Sequence, residues 1–491
     1  MATGPLLAPD ESAQLLIGGA WRGAASGETL MLENPSDGSA LAPIARGGVA
    51  DIDAAVQAAQ AALDGEWGSL AAAERGRILS RIGVAVATQA DELARLEALD
   101  VGKPLRQGRA DALALARYLE FYGGACDKVH GETLPYLAGY TVMTLREPHG
   151  VTGHIVPWNY PMQIVGRSVG AALAMGNACV LKPAEEACLT VLAFARIAQR
   201  AGLPAGALNV VTGTGEEAGA ALSAHPGVQH ISFTGSVATG TLVQAAAARN
   251  AVPVTLELGG KSPQIVFADA DLDAALPFLV NAGIQNAGQT CSAASRILVD
   301  RSAYAQVRAR MAERYAALRV GSATSDLDLG PVISHRQREV IERFLALARG
   351  DEAGGITVAA QGAIVADAPA GGHYVRPTLL ADVPEAHALA QQEIFGPVQV
   401  LIPFDGEAEA IRIANGTPFG LVAGVWTRDG GRQLRLARAL KCGQVFVNNY
   451  GAGGGVELPF GGVKHSGHGR EKGFEALYGF STLKTVAIHH G

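Results

Sequence analysis

Between Gly150 and Gly260 five short apolar runs, VTGHIVP, ACVLKP, ALNVVTG, QHISFTG and VTLELGG, are separated by segments long enough for a helix. Strands that alternate with helices in this way predict a parallel sheet and so an α/β fold. Each run ends in Gly, Pro or a polar residue. Open α/β sheets bind ligands outside the carboxyl ends of their strands, so chemistry is expected around Pro157, Lys182, Gly213, Gly235 and Glu257.

Flanking regions read differently. From Asp51 to Tyr122 the chain is Ala-rich and charged with helical spacing, as in Ile78, Ile82, Val86 and Leu93, Leu96, Leu99. A second α/β unit starts near Lys261, with QIVF, RILVD, a charged helix around Arg308 to Tyr315, and the runs VQVLIPF, LVAGVW and GQVFVNN. Asp127 to Pro148 and the tail from Arg470 to Gly491 read as short strands or arms, whose exposed edges oligomer contacts would cover. At about 150 residues per domain, 491 residues make two or three folding units.

Hydrophobic residues at 48% and charged residues at 17% exclude disorder and coiled coil. A net charge of −7 without a long basic run disfavours nucleic acid as a partner. No apolar stretch is long enough for a membrane span. Asp10 and Glu11, with no basic region leading into an apolar stretch, do not resemble a signal peptide. The five cysteines, Cys126, Cys179, Cys188, Cys291 and Cys442, are odd in number and widely spaced, with no pattern suited to a metal. A reduced, cytoplasmic enzyme is the simplest context.

Cys291, in the small-residue segment NAGQTCS, could attack a carbonyl carbon as a thiolate, or could be a small buried hydrophobe. Glu257 ends an apolar run beside Gly259 and Gly260, where it could act as a general base, cap a helix or pair with Lys261. Asn159, pinned between Pro157 and Pro161, could donate to an oxyanion or cap the helix that begins at Pro161. No strict G-x-G-x-x-G follows a strand, and GTGEEAG has one residue too many. FTGSVATG instead offers Gly235, Ser236 and Gly240 between a strand and a helix, where backbone N–H groups could meet a phosphate. Lys182 and Glu185 in KPAEE could hydrogen-bond ribose hydroxyls or simply open a helix.

Taken in order, PWNYP, LKPAEE, FTGS, LELGGKSP, NAGQTCS, EIFGP, PFGG and SGHGRE make nearly the whole chain similar to the NAD(P)-dependent aldehyde dehydrogenase superfamily, of the hydrolytic, non-acylating type. The resemblance implies an aldehyde dehydrogenase-like α/β fold. Its parts would be a non-standard Rossmann cofactor domain (1–125 and 148–259), an α/β catalytic domain (260–462), and a small β oligomerisation arm (126–147 and 470–491) that forms a homodimer or homotetramer. It also implies NAD as cofactor, with NADP as the alternative, and a small aldehyde as substrate. Cys291 would form a thiohemiacetal and then a thioester, Asn159 would hold the oxyanion, and Glu257 would activate water. Lys182, grouped also with the catalytic set, and Glu185 would meet the adenosine ribose. Trp158 and Ser236, with Gly235 and Gly240, would meet the pyrophosphate, Glu393 the nicotinamide ribose, and Phe395 the nicotinamide. A carboxylate at Glu185 would repel the 2′-phosphate of NADP. The implied substrate pocket comprises Tyr160, Arg167, Thr290, Ser292, Tyr450 and Phe460. An acylating or phosphorylating dehydrogenase, or a silent homologue of the fold, are the competing readings.

Two features depart from the family pattern. Arg167 stands where many members resembling betaine or aliphatic aldehyde dehydrogenases place an aromatic residue. A guanidinium there needs an anion, a phenolic oxygen or an internal carboxylate. The first two imply a carboxylated (semialdehyde) or oxygenated aromatic substrate, and the third a structural ion pair. The loop NNYGAGGGVELPFGG is glycine-rich where bulky residues are often found, which suggests a wider pocket or a flexible surface loop.

Overall fold

The computed structural model describes residues 6–7, 11–350, 355–451 and 455–491. Asp10 and Ala452 to Gly454 of the glycine loop lie outside the described residues.

The five runs form strands β1 (Val151–Val156), β2 (Ala178–Pro183), β3 (Leu208–Val210), β4 (His230–Thr234) and β5 (Val254–Glu257). They are parallel and lie in the order β3-β2-β1-β4-β5. Ala20–Arg22 and Leu15–Ile17 extend one edge, and Gly467–His468 the other. Every residue of β2, β4 and β5 is buried, including the polar residues His230, Ser232 and Thr255, as expected for parallel strands covered on both faces. The order reverses between β1 and β4. A crevice opens at such a point because the connections leave in opposite directions.

The second sheet is made of β6 (Pro263–Val266), β7 (Arg296–Asp300), β8 (Thr378–Ala381), β9 (Val398–Phe404), β10 (Val422–Trp426) and β11 (Gln444–Val447). They are parallel in the order β8-β9-β7-β6-β10-β11, with Thr357–Gln361 antiparallel at the β8 edge. Each sheet has its own apolar core.

The helical region contains α1 (Ala90–Asp100) and α2 (Leu105–Ala125), and PWNYP leads into α3 (Pro161–Ala174). Pro161 occupies the first turn of α3, where its missing N–H costs nothing. The Leu spacing in α1 is only part of its inner face. Leu93 is buried and Leu96 and Leu99 are half-buried, while the charged residues Glu97 and Asp100 are fully buried.

Tyr140–Pro148 pairs along its whole length with Ser481–His489, and Thr133–Leu134 adds a third strand. The tail from Arg470 is thus only partly strand. Gly473–Gly479 is a short helix, and Glu471 before it is buried in the molecule.

Candidate active site

The crevice between β1 and β4 is a cleft of about 410 Å³. The β1 end contributes Pro157, Trp158 and Asn159, the β4 end Gly235 and Ser236, and the β5 end Glu257. Glu393, Phe395 and Cys291 complete the wall from the second unit. The three residues with catalytic potential therefore share one space.

Cys291 is held there by a strained loop. After the helix Leu272–Ile284, Asn286 and Ala287 both adopt left-handed backbone, at φ 50° and 52°. Such residues persist only where surroundings hold them. Here the Asn286 side chain donates to the Asn159 carbonyl at 2.9 Å, and its backbone N–H donates to Gln107 Oε1 at 2.9 Å. The Asn159 amide in turn donates to the Gln289 carbonyl at 3.0 Å, so the Asn159 and Cys291 loops fix each other. Asn159 does not cap α3; Tyr160 occupies that position without a side-chain cap bond. A carboxamide nitrogen carries two N–H groups, so the second is not used by Gln289. Two glycines of LELGG permit the close approach: a Cβ on Gly260 would lie 2.6 Å from the Cys291 carbonyl, and one on Gly259 would lie 2.1 Å from the Glu393 carboxylate.

Burial dominates the electrostatics. It pushes the Cys291 thiol up to about 11; the Arg167 charge opposes this and Glu257 adds to it. It also pushes Glu257 well above the usual carboxylate range, and Glu471 adds to that. Among the described residues, neither Glu257 oxygen has a hydrogen-bond partner. Glu393 is lifted to about 7 by burial, against the Gly260 N–H and Lys261. A thiol and a carboxyl that both resist ionisation suit proton exchange with a reacting group more than a permanent ion pair.

Cys291, Asn159 and Thr234 also line a second, smaller cavity of about 40 Å³ with Tyr160, Arg167, Thr290, Ser292, Phe460 and Lys472. Arg167 is ion-paired with Glu471, and its guanidinium lies 4.9 Å from the centre of the Phe460 ring. Of the three partners open to this guanidinium, the internal carboxylate is present. Tyr450 lines neither cavity; its hydroxyl donates to the Ser292 carbonyl at 2.5 Å, within an apolar cluster that includes Phe460.

A family model for the aldehyde dehydrogenase family matches residues 21–486. The hydroxyisobutyraldehyde dehydrogenase of Mycolicibacterium austroafricanum is 39% identical over 476 residues, which are 97% of this chain and 93% of that protein. The chain belongs to the aldehyde dehydrogenase family. Among solved structures, a candidate aldehyde dehydrogenase from Burkholderia cenocepacia superposes with a TM-score of 0.96 at 65% identity, covering 98% of this chain and all of that one. Betaine aldehyde dehydrogenase from Staphylococcus aureus, in complex with NAD+, superposes at 0.94 with 34% identity, over 98% and 95% of the two chains.

Within this member of the family, the remaining expected residues fall into two groups. Ser236 lines the cleft and caps the helix Val237–Ala248, its hydroxyl accepting from the Thr239 N–H at 3.1 Å. Gly240, one turn on, is turned away from the cleft, and a Cβ there would lie 2.6 Å from Leu258. Lys182, near the end of β2, and Glu185 just past it form an ion pair of 2.7 Å, and the Gly215 N–H donates to Glu185 at 3.3 Å. Lys182 lines neither cavity that Cys291 lines, so the structure does not bring it to the thiol. Burial pushes the Glu185 carboxyl up, but Lys182 and the Gly215 N–H outweigh it and hold the group below its ordinary value. A charged carboxylate at a strand end, the capped helix at Ser236 and the aromatic pair Trp158 and Phe395, centroids 5.4 Å apart, fit a dinucleotide.

Several residues at the site carried no sequence signal. Gln163, Ile164 and Gln285 line the small cavity, and Ile333, Ser334, Arg336 and Gln337 line the cleft. Glu471 ends the motif SGHGRE, but nothing in its spacing ties it to Arg167.

Proposed function

We propose that this protein oxidises an aldehyde to a carboxylic acid with NAD, releasing the product by hydrolysis. The observation that carries this is the meeting of Cys291, Asn159 and Glu257 in one cleft. The Cys291 thiol loses its proton to solvent and its sulfur adds to the aldehyde carbon, giving a thiohemiacetal. The second N–H of Asn159 and the backbone N–H of Cys291 hold the oxyanion. Bound NAD supplies the acceptor for the hydride that leaves this carbon. Glu257 then takes a proton from water, whose oxygen attacks the thioester, and the acid departs as the thiol is restored.

Lys182 and Glu185 would hold the adenosine ribose, Trp158, Gly235 and Ser236 the pyrophosphate, and Glu393 and Phe395 the nicotinamide end. The Glu185 charge favours NAD over NADP. Lys472 lines the same small cavity as Cys291, and we assign it to a carboxylate on the substrate. The small volume beside Cys291 favours a short, carboxylated aldehyde over an aromatic one. Copies of the chain would associate through the arm, where Tyr136, Leu137 and Leu483 are exposed.

The test is NADH formation from short neutral, carboxylated and quaternary ammonium aldehydes, with and without coenzyme A or phosphate. Turnover without either acceptor, strongest for the carboxylated compound, is expected. An absolute need for coenzyme A or phosphate would replace hydrolysis by acyl transfer.

A further inference from the structure

Three charged side chains are buried together beside the aldehyde cavity and take no part in the reaction proposed above. Lys103, between α1 and α2, is ion-paired with Glu97 of α1 at 2.8 Å and with Asp111 of α2. The side chains of Lys103 and Glu97 are 0% exposed and that of Asp111 is 4% exposed. A buried ion cluster is often no more stabilising than apolar packing of the same volume, so stability alone is a weak reason for it.

Beyond the cluster its side chains reach Tyr160 and Gln163. Lys103 Nζ sits 3.7 Å from the centroid of the Tyr160 ring, over its face. The Asp111 Oδ1 atom accepts from Gln163 Nε2 at 2.5 Å. Tyr160 and Gln163 both line the cavity that contains Cys291. The Tyr160 hydroxyl is hydrogen-bonded at 2.9 Å to Thr290 Oγ1, on the residue that precedes Cys291. The helix α2 that carries Asp111 also supplies Gln107 to the strained turn at Asn286. One buried cluster and its helix thus touch the cavity wall and the loop that presents the thiol.

We infer that Lys103, Glu97 and Asp111 are positioning residues: by fixing the Tyr160 ring and the Gln163 amide they set the shape of the space through which an aldehyde reaches Cys291. The inference rests on reading that cavity as the aldehyde site. A guanidinium or ammonium desolvated over an aromatic ring is among the stronger contacts of its kind, so its loss should release the ring.

The test is a double-mutant cycle in the full-length protein with Lys103→Met and Tyr160→Leu. It has two readouts: kcat and KM for propanal with NAD, and the rate of Cys291 alkylation by iodoacetamide, which needs neither cofactor nor turnover. Lys103→Met is expected to raise KM about tenfold and to leave kcat within about threefold. It should also alter the alkylation rate, and both effects should nearly vanish in the Tyr160→Leu background, because coupled residues are non-additive. A folded Lys103→Met protein with unchanged KM and alkylation, or effects of equal size in both backgrounds, would overturn the inference. If Lys103→Met does not fold, Asp111→Asn combined with Gln163→Ala is read by the same criteria. If the wild-type protein alkylates at Cys291 but oxidises no aldehyde, the functional reading fails while the alkylation cycle still decides the positioning role.

Discussion

Arg167, in the wall of the small cavity beside Cys291, is ion-paired with Glu471, which lies far along the chain and is itself fully buried. The Ser232 hydroxyl donates to the other oxygen of Glu471 at 3.0 Å, so the carboxylate ties α3 to β4. Removing one member of a buried pair leaves an uncompensated charge and costs about 3 kcal/mol or more. Glu471→Gln should therefore lower the melting temperature, and Arg167→Met with Glu471→Gln should recover most of the loss. Thermal unfolding of the three proteins checks this; a double variant no more stable than the single would contradict it.

The pH dependence of turnover should be set by Glu257. Its carboxyl is held well above the usual range by burial, with Glu471 adding to the effect. A base must be unprotonated to accept a proton from water, so the rate should rise with pH through that raised value. Glu257→Gln should reduce kcat by about 10² to 10⁴ and flatten the profile. Steady-state rates across the neutral and alkaline range measure both.

Lys472 should make substrate preference depend on pH. Burial, followed by the neighbouring Arg167 charge, brings its ammonium down to about 7, while Cys291, Glu471 and Glu257 act the other way. Below that value the side chain is charged, and above it neutral. The KM for a carboxylated aldehyde should therefore rise with pH relative to that of a neutral aldehyde of the same length. In Lys472→Met the two should move together.

Cofactor choice should follow Glu185. Replacing it by Gln removes the charge that opposes a 2′-phosphate and leaves Lys182 without its partner. The ratio of kcat/KM for NADP to that for NAD should rise about tenfold or more.

Acid sensitivity should come from three histidines beside the start of the arm. His149 stacks on His230 with centroids 4.8 Å apart, and His154 and His230 both contact Phe480. Burial pushes His154 down to about 3, His230 well below its ordinary value and His149 in the same direction. A histidine whose folded value is depressed contributes stability above its unfolded value, near 6.5, that is lost as the pH falls. For His154, whose folded value is about 3, the loss is about 1.4 kcal/mol for each unit below that point. Melting temperature should fall between about pH 7 and pH 5, and His154→Gln should shallow the slope.

The parallel strands β1 to β5 were legible as short, largely apolar segments separated by helix-length stretches, and the positions at or just beyond their ends, Asn159, Gly235, Ser236 and Glu257, do line the cleft. What stayed hidden was contact between distant segments. Glu97 and Asp100 sit on the buried face of α1, where the Leu spacing predicted apolar residues, because Lys103 and the Leu189 N–H each give one of their carboxylate oxygens a partner. Glu471 and Arg167 find each other only once the tail folds back on α3. Gly240 is required by packing against Leu258, a demand that its motif does not announce. The part of the glycine loop from Ala452 to Gly454, on which the expectation of a wider pocket rests, lies outside the described residues.

The most direct test of the central claim is the intact mass of Glu257→Gln after mixing with NAD and a short aldehyde. With the base gone and the thiol present, the account predicts an acyl group accumulating on Cys291, mapped by peptide mass, and none in Glu257→Gln with Cys291→Ala. Wild-type turnover in Glu257→Gln with no adduct, or an adduct elsewhere than Cys291, would contradict it.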